Sequence, residues 1–187
     1  MSVEPYDFGE QLALSHAAED LPFWLDVYRE AFPTLTACVN HRQDGEHQRA
    51  GIDRSLVLAN SKQVLIDEKV RGRNRKTGKV YEDIALEYWS DYERRAPGWV
   101  CKPLRADYIA YAIAPLGRCY LLPVAQLQQA WRNCGDAWTA RYPEIRATSA
   151  AGARRWTTLS VGVPVVVLFR AIGACLRVSF TPVAFDE

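Results

Sequence analysis

The stretch GIDRSLVLANSKQVLIDEKVRGRNRKTGK, residues 51–79, decides how this chain is read. Two runs of mainly apolar residues flank a short polar break, each run carries acids, and a burst of Arg and Lys follows the second. The pattern predicts a β-hairpin, with strands over 51–59 and 63–71. Because side chains alternate across a strand, the even positions Ile52, Arg54, Leu56 and Leu58 share a face, as do Val64, Ile66, Glu68 and Val70. These mainly apolar sets face the core. The odd positions end in Asp53 on one strand and in Asp67, Lys69 and Arg71 on the other. Like parity shares a face only if opposed residues sum to an even number, so a two-residue loop would put the apolar sets on opposite faces. A three-residue turn, Asn60-Ser61-Lys62, keeps them together. It sets Asp53 opposite Lys69 and Arg54 opposite Glu68.

Outward from the hairpin, residues 19–32 carry Phe23, Trp24, Val27, Tyr28 and Ala31 at helical spacing before Pro33. A polar loop runs through His41 to Arg49. Strands are expected over 80–89, 105–114 and 118–122, with Pro115 and Gly117 at the last turn. A helix follows Pro123, and residues 134–153 read as Ala-rich and irregular. Strands RWTTLSVGV and CLRVSF, with an apolar segment after Pro164 between them, close the chain. The fold class is α/β (α+β): a single domain over 1–187, with a bent, mostly antiparallel central sheet flanked by helices. Its core spans about 20–135, and 136–187 packs on the same domain.

The 187 residues suffice for a buried core, and 49% apolar content with six Trp predicts a folded chain. A net charge of +1 excludes a uniformly cationic nucleic-acid coat but allows a local basic patch. Five scattered Cys with no CxxC suit reduced thiols in a cytoplasm rather than a disulfide framework or a zinc site. The acidic start MSVEPYDFGEQ lacks the apolar region of a signal peptide. The longest apolar run, Val161 to Phe169, is too short to span a bilayer.

Two carboxylates beside an ammonium have two readings. One is an ordinary cross-strand ion pair. The other is a site for a hard divalent cation, which relieves the repulsion between like charges and activates water. The latter has a family shape. Asp53, a hairpin, then Asp67-x-Lys69, preceded by a helix and followed by a further strand, resembles the PD-(D/E)XK nuclease superfamily, the restriction-endonuclease-like fold. The leading Pro of that motif is replaced by Ile52.

The resemblance implies a core of an initial helix, an antiparallel sheet carrying the acids, then a helix and a further strand. It also implies a magnesium-dependent deoxyribonuclease, an endonuclease in a phage or bacterial setting, with Mn²⁺ able to substitute. Asp53 and Asp67 would hold the metal and Lys69 would serve the nucleophilic water. Glu30 on the first helix and Glu87 on the third strand are further metal candidates, and a homodimer is a common arrangement among relatives. The basic loop Arg71, Arg73, Arg75, Lys76 and Lys79 would hold DNA phosphates, or alternatively only keep a sheet edge soluble. Gly72 to Lys79 is no P-loop, since five residues separate its glycines and Val80 stands where Ser or Thr is required. His41 and His47 around Asp44 and Glu46 invite a metal reading, against a plain polar loop. Two other function classes remain beside the nuclease: a catalytically inactive DNA-binding module of the same fold, and a structural subunit.

Overall fold

A computed structural model describes residues 6–7, 13 and 16–186. Its strands are β1 Tyr6–Asp7, β2 Leu35–Asn40, β3 Arg54–Leu58, β4 Gln63–Arg71, β5 Asp83–Asp91 and β6 Ala96–Pro97, then β7 Tyr108–Ile113, β8 Arg118–Pro123, β9 Glu144–Ala151, β10 Arg154–Pro164 and β11 Leu176–Ser179. Its helices are α1 Phe23–Ala31, α2 Gly45–Arg49, α3 Val124–Arg141 and α4 Val165–Ile172. The class is mixed α/β with mostly antiparallel pairing, and the strands are shared between two sheets. The chain divides into two compact units that interleave in sequence.

The first unit comprises Ala18–Tyr81, Leu104–Gln126 and the chain from Ala174 on. Its sheet has the order β11-β8-β7-β4-β3-β2, and every pair is antiparallel except β4 with β7. Helix α1 forms because Phe23, Trp24, Val27 and Tyr28 make one apolar stripe, and that stripe is buried. It packs in one cluster with Leu56, Ile66, Ala110, Ala112, Cys119, Leu121 and Val178 from the sheet. Phe23 stacks on Phe180 with ring centroids 3.9 Å apart. The even positions of the hairpin therefore do face the core. At the β7–β8 turn, Ala114–Leu116 forms a short 3-10 turn that ends on Gly117 at φ 60°. Only glycine fits there, since a Cβ would collide with the Phe180 carbonyl.

The hairpin turn has the expected length at a shifted position. Leu58 N–H donates to the Lys62 carbonyl at 2.9 Å, so the loop is Ala59-Asn60-Ser61, one residue earlier than expected. Ser61 takes the left-handed conformation at φ 61°, and the Asn60 side chain accepts from Lys62 N–H at 3.1 Å. Opposed residues now sum to 120, as in Arg54 with Ile66 and Val57 with Gln63. The sum remains even, so the faces are kept. Each partner has slipped by two, which puts Asp53 level with Asp67 rather than with Lys69.

The second unit comprises Glu82–Pro103 and Leu127–Gly173 with the N-terminal strand, and its sheet has the order β1-β9-β10-β5-β6. Ile84 and Leu86 of β5, Leu159, Val161 and Val163 of β10, and Leu168 and Ile172 of α4 are buried here. The stretch 134–153, expected to be irregular, forms the end of α3 and then β9. Leu127, Ala130 and Trp138 keep the helical period through it and are buried. The apolar segment after Pro164 is a helix. The expected third strand begins at Asp83 and pairs with β10 and β6.

Cys38, Cys101, Cys119, Cys134 and Cys175 form no disulfide. Among the described residues no helix is long and apolar enough to cross a membrane.

Candidate functional site

Residues 67 and 68 follow one another on β4 and point to opposite faces, and both are buried acids. Glu68 belongs to the core side. Its Oε1 accepts from Arg54 Nε at 2.6 Å and from the Tyr28 hydroxyl of α1 at 2.5 Å. Arg54 also donates to the Glu19 carbonyl at 2.6 Å. Burial pushes the Glu68 carboxyl up to about 7 against the pull of Arg54. The expectation that the core-face acid finds a cation in Arg54 holds as an ion pair, although the slipped register makes the pair diagonal.

Asp67 lies on the other face, 4% exposed, and Lys69 Nζ donates to its Oδ1. Burial raises its carboxyl from the ordinary 3.8 to about 6. Lys69 opposes the rise, and the charge of Asp53, with a hydrogen bond between the two carboxyls, adds to it. That contact requires Asp53 and Asp67 to share a face. Asp53 is anchored twice on β4: its N–H donates to the Ile66 carbonyl at 2.8 Å, and its Oδ2 accepts from Glu68 N–H at 2.7 Å. The sequence left the odd face of the hairpin polar and open, but Asp67 is covered by the turn before β3. Gly51 sits there at φ 69°. A Cβ on it would stand 2.7 Å from Leu104 Cδ2 and 4.0 Å from Asp67 Oδ2.

The three residues of the D…D-x-K pattern thus converge, with a formal charge of two carboxylates against one ammonium. A divalent cation fits that set, because it would favour the ionised form of Asp67 against its burial and against the charge of Asp53.

The other expected residues lie elsewhere. Glu30 is exposed on α1. That helix covers the Glu68 face of β4, so Glu30 stands with the core side of the sheet and not with Asp53 and Asp67. Glu87 is on β5, in the second unit, near Cys101. The basic loop is an ordered turn. Asn74 Oδ1 accepts from the N–H groups of Lys76 and Thr77 at 3.0 and 2.9 Å, and Gly78 N–H donates to the Asn74 carbonyl at 2.8 Å. Arg75 and Lys76 project from its exposed tip. Arg73 is exposed, and its N–H donates to the Phe185 carbonyl at 2.7 Å. Arg71 and Lys79 both lie over the Tyr81 ring, at 5.0 and 4.8 Å from its centroid.

Beside Asp53 lies a second polar group, built by His41, Asp44 and His47. His41 N–H donates to the Asp53 carbonyl at 2.8 Å, and the His41 Nε2 is 2.7 Å from Ser55 Oγ. The His41 and His47 rings stack 3.9 Å apart, and His47 Nδ1 is 2.7 Å from Asp44 Oδ2. Short helix α2 brings His47 back over His41, an approach that spacing alone does not reveal.

No family model, no curated protein and no solved structure matches this chain.

Proposed function

We propose that this protein is a divalent-metal-dependent deoxyribonuclease that hydrolyses phosphodiester bonds. The observation that carries the reading is the shared face of Asp53, Asp67 and Lys69, with Asp67 in contact with both of the others. The element order supports it as well. A helix, α1, precedes the antiparallel strands that carry the acids, and a further strand, β7, lies beside the D-x-K strand. The helix that the family places between those last two is absent here, since residues 72–107 hold only β5, β6 and loops.

Asp53 and Asp67 would hold Mg²⁺, with Mn²⁺ able to substitute. When bound, such an ion lowers the pKa of a coordinated water and neutralises charge developing on phosphate oxygens. Lys69 keeps an ammonium against Asp67, where it orients the attacking water and stabilises negative charge. The Gly51 turn and Leu104 keep bulk water from one side of Asp67. Arg75 and Lys76 at the exposed loop tip, with Arg73, hold the DNA backbone without reading its sequence. The choice of DNA rests on the family resemblance and on this loop.

A second reading is an inactive DNA-binding module. Lys69 favours it, because its ion pair with Asp67 already neutralises one carboxylate without a metal. Cleavage of labelled duplex and single-stranded DNA separates the two. The nuclease reading expects cleavage with Mg²⁺ or Mn²⁺, none in EDTA, and none from Asp67→Asn or Lys69→Ala variants that keep the fold. Binding that survives EDTA, with no cleavage under either metal, would sink the nuclease and leave the module.

A further inference from the structure

We infer that His41, Asp44 and His47 form a binding site for one borderline transition-metal ion of the Zn²⁺ class, beside but chemically distinct from the Asp53–Asp67 pair. One donor atom from each of the three residues lies within 4.8 Å of the other two. Two imidazole nitrogens and one carboxylate oxygen are a zinc-type donor set, whereas Mg²⁺ prefers oxygen ligands alone. With three protein ligands, the ion keeps a position open for water or substrate.

Hydrogen bonds hold the three side chains close to one another. Asp44 is fixed by its own hydrogen bonds, since Oδ1 accepts from the N–H groups of Glu46 and His47 at 3.0 and 3.2 Å. That leaves Oδ2 directed at His47 Nδ1, 2.7 Å away. The His41 ring is held by Ser55, whose Oγ is 2.7 Å from Nε2, the kind of outer partner that orients a ligating histidine. The His41 backbone is tied to β3 through the Asp53 carbonyl, and the Ile52 N–H donates to the His47 carbonyl at 3.0 Å. The cluster is therefore part of the folded sheet edge.

The site is open, with the side chains of His47 and Asp44 36% and 45% exposed. The two rings are near-parallel, 4° apart. An ion in the plane of both requires one ring to turn about its Cβ–Cγ bond, a torsion with broad wells.

Zn²⁺ titrated calorimetrically into chain stripped with EDTA tests this, with Co²⁺ as the optical probe. The expected result is one ion per chain. Of the three histidines in the sequence, only His41 and His47 should shift in imidazole NMR spectra on Zn²⁺ addition, a readout that needs no variant. His47→Ala and the milder Asp44→Asn, which retains a capping oxygen, should each weaken binding by about 100-fold or more, beyond what losing an outer-shell partner costs. Asp67→Asn should bind Zn²⁺ as the parent does.

The inference is overturned by absence of stoichiometric binding, by parent-like affinity in both cluster variants, or by a Co²⁺–thiolate charge-transfer band. Loss of Zn²⁺ binding in Asp67→Asn would also overturn it, since the ion would then belong to the carboxylate pair. None of these measurements needs DNA cleavage, so the metal site and the nuclease reading stand or fall separately.

Discussion

Replacing Asp67 with Asn should stabilise the protein at alkaline pH, and the size of the gain follows from the burial of this side chain. The carboxyl moves from the ordinary 3.8 to about 6 on folding. At ~1.36 kcal/mol for each tenfold in proton affinity, that shift corresponds to about 3 kcal/mol. The sign follows from which state holds the proton. Between pH 4 and 6, on the order of these two values, the folded state keeps a proton that the unfolded chain has released. The contribution of Asp67 is therefore fully present below its unfolded value, falls as pH rises through its folded value, and is flat above. Asn resembles the protonated acid at every pH. Lys69, with its side chain 32% exposed, loses its partner in the variant, but such a partly solvated cation subtracts only ~1 kcal/mol or less. The net expectation is a gain of about 2–3 kcal/mol at pH 8 and almost none near pH 4. Urea unfolding at both pH values measures it, and a shift of roughly 1 M in midpoint at pH 8 is expected for a typical slope. Mg²⁺ added at pH 8 should raise the midpoint of the parent and leave that of the variant unchanged. A variant that is less stable than the parent at pH 8, or that gains equally at both pH values, refutes the reasoning.

The acid on the opposite face behaves differently. Arg54→Ala removes the cation from Glu68, whose carboxyl already sits near 7 against an ordinary 4.5. The loss should be about 3–5 kcal/mol at pH 8 and smaller at pH 5, where the acid is protonated, as read by urea midpoints at the two pH values. For the exposed loop tip, the double change Arg75→Ala with Lys76→Ala should weaken DNA binding alike for all sequences. The slope of log K against log salt should become shallower by about 2, measured by fluorescence anisotropy across a salt series; an unchanged slope would remove this loop from the interface.

Alternation was the part of the design legible in the sequence. Strand parity assigned Leu56, Ile66 and Glu68 to the core and Asp53, Asp67 and Lys69 to the other face, and it required an odd-numbered turn. The register within that parity was not legible. The choice between Asn60-Ser61-Lys62 and Ala59-Asn60-Ser61 depends on which residue adopts the left-handed conformation, and both Ser61 and its neighbours tolerate turns. A slip of two residues leaves every burial pattern intact, so hydrophobicity cannot detect it. Non-local pairing was equally hidden. Nothing in YIAYAI says that β7 lies parallel to β4, nor in DIALEYW that β5 joins another sheet. The stacking of His41 on His47 needed α2 to turn the chain back, and its five residues are too few for a periodic signal.

The slip by two changes which charges face one another across the hairpin. A cross-strand ion pair would set an acid against a base, as the expected register did with Asp53 and Lys69. The fold instead levels Asp53 with Asp67 and takes Lys69 from the same strand as Asp67. Glu68, one residue on, has an arginine and a tyrosine in the core both donating to one oxygen, while its other oxygen is buried without a partner. Asp67 is as deeply buried, yet its second neighbour is another carboxyl, which raises its pKa further and lowers stability above pH 6. A cation bound between the acids would remove that cost, which is why the proposed function puts a metal there. Proteins keep such local conflicts at functional sites and offset them in the surrounding core. The stabilising Asn variant is therefore the same one expected to lose Mg²⁺ response and cleavage, because one charge is responsible for both.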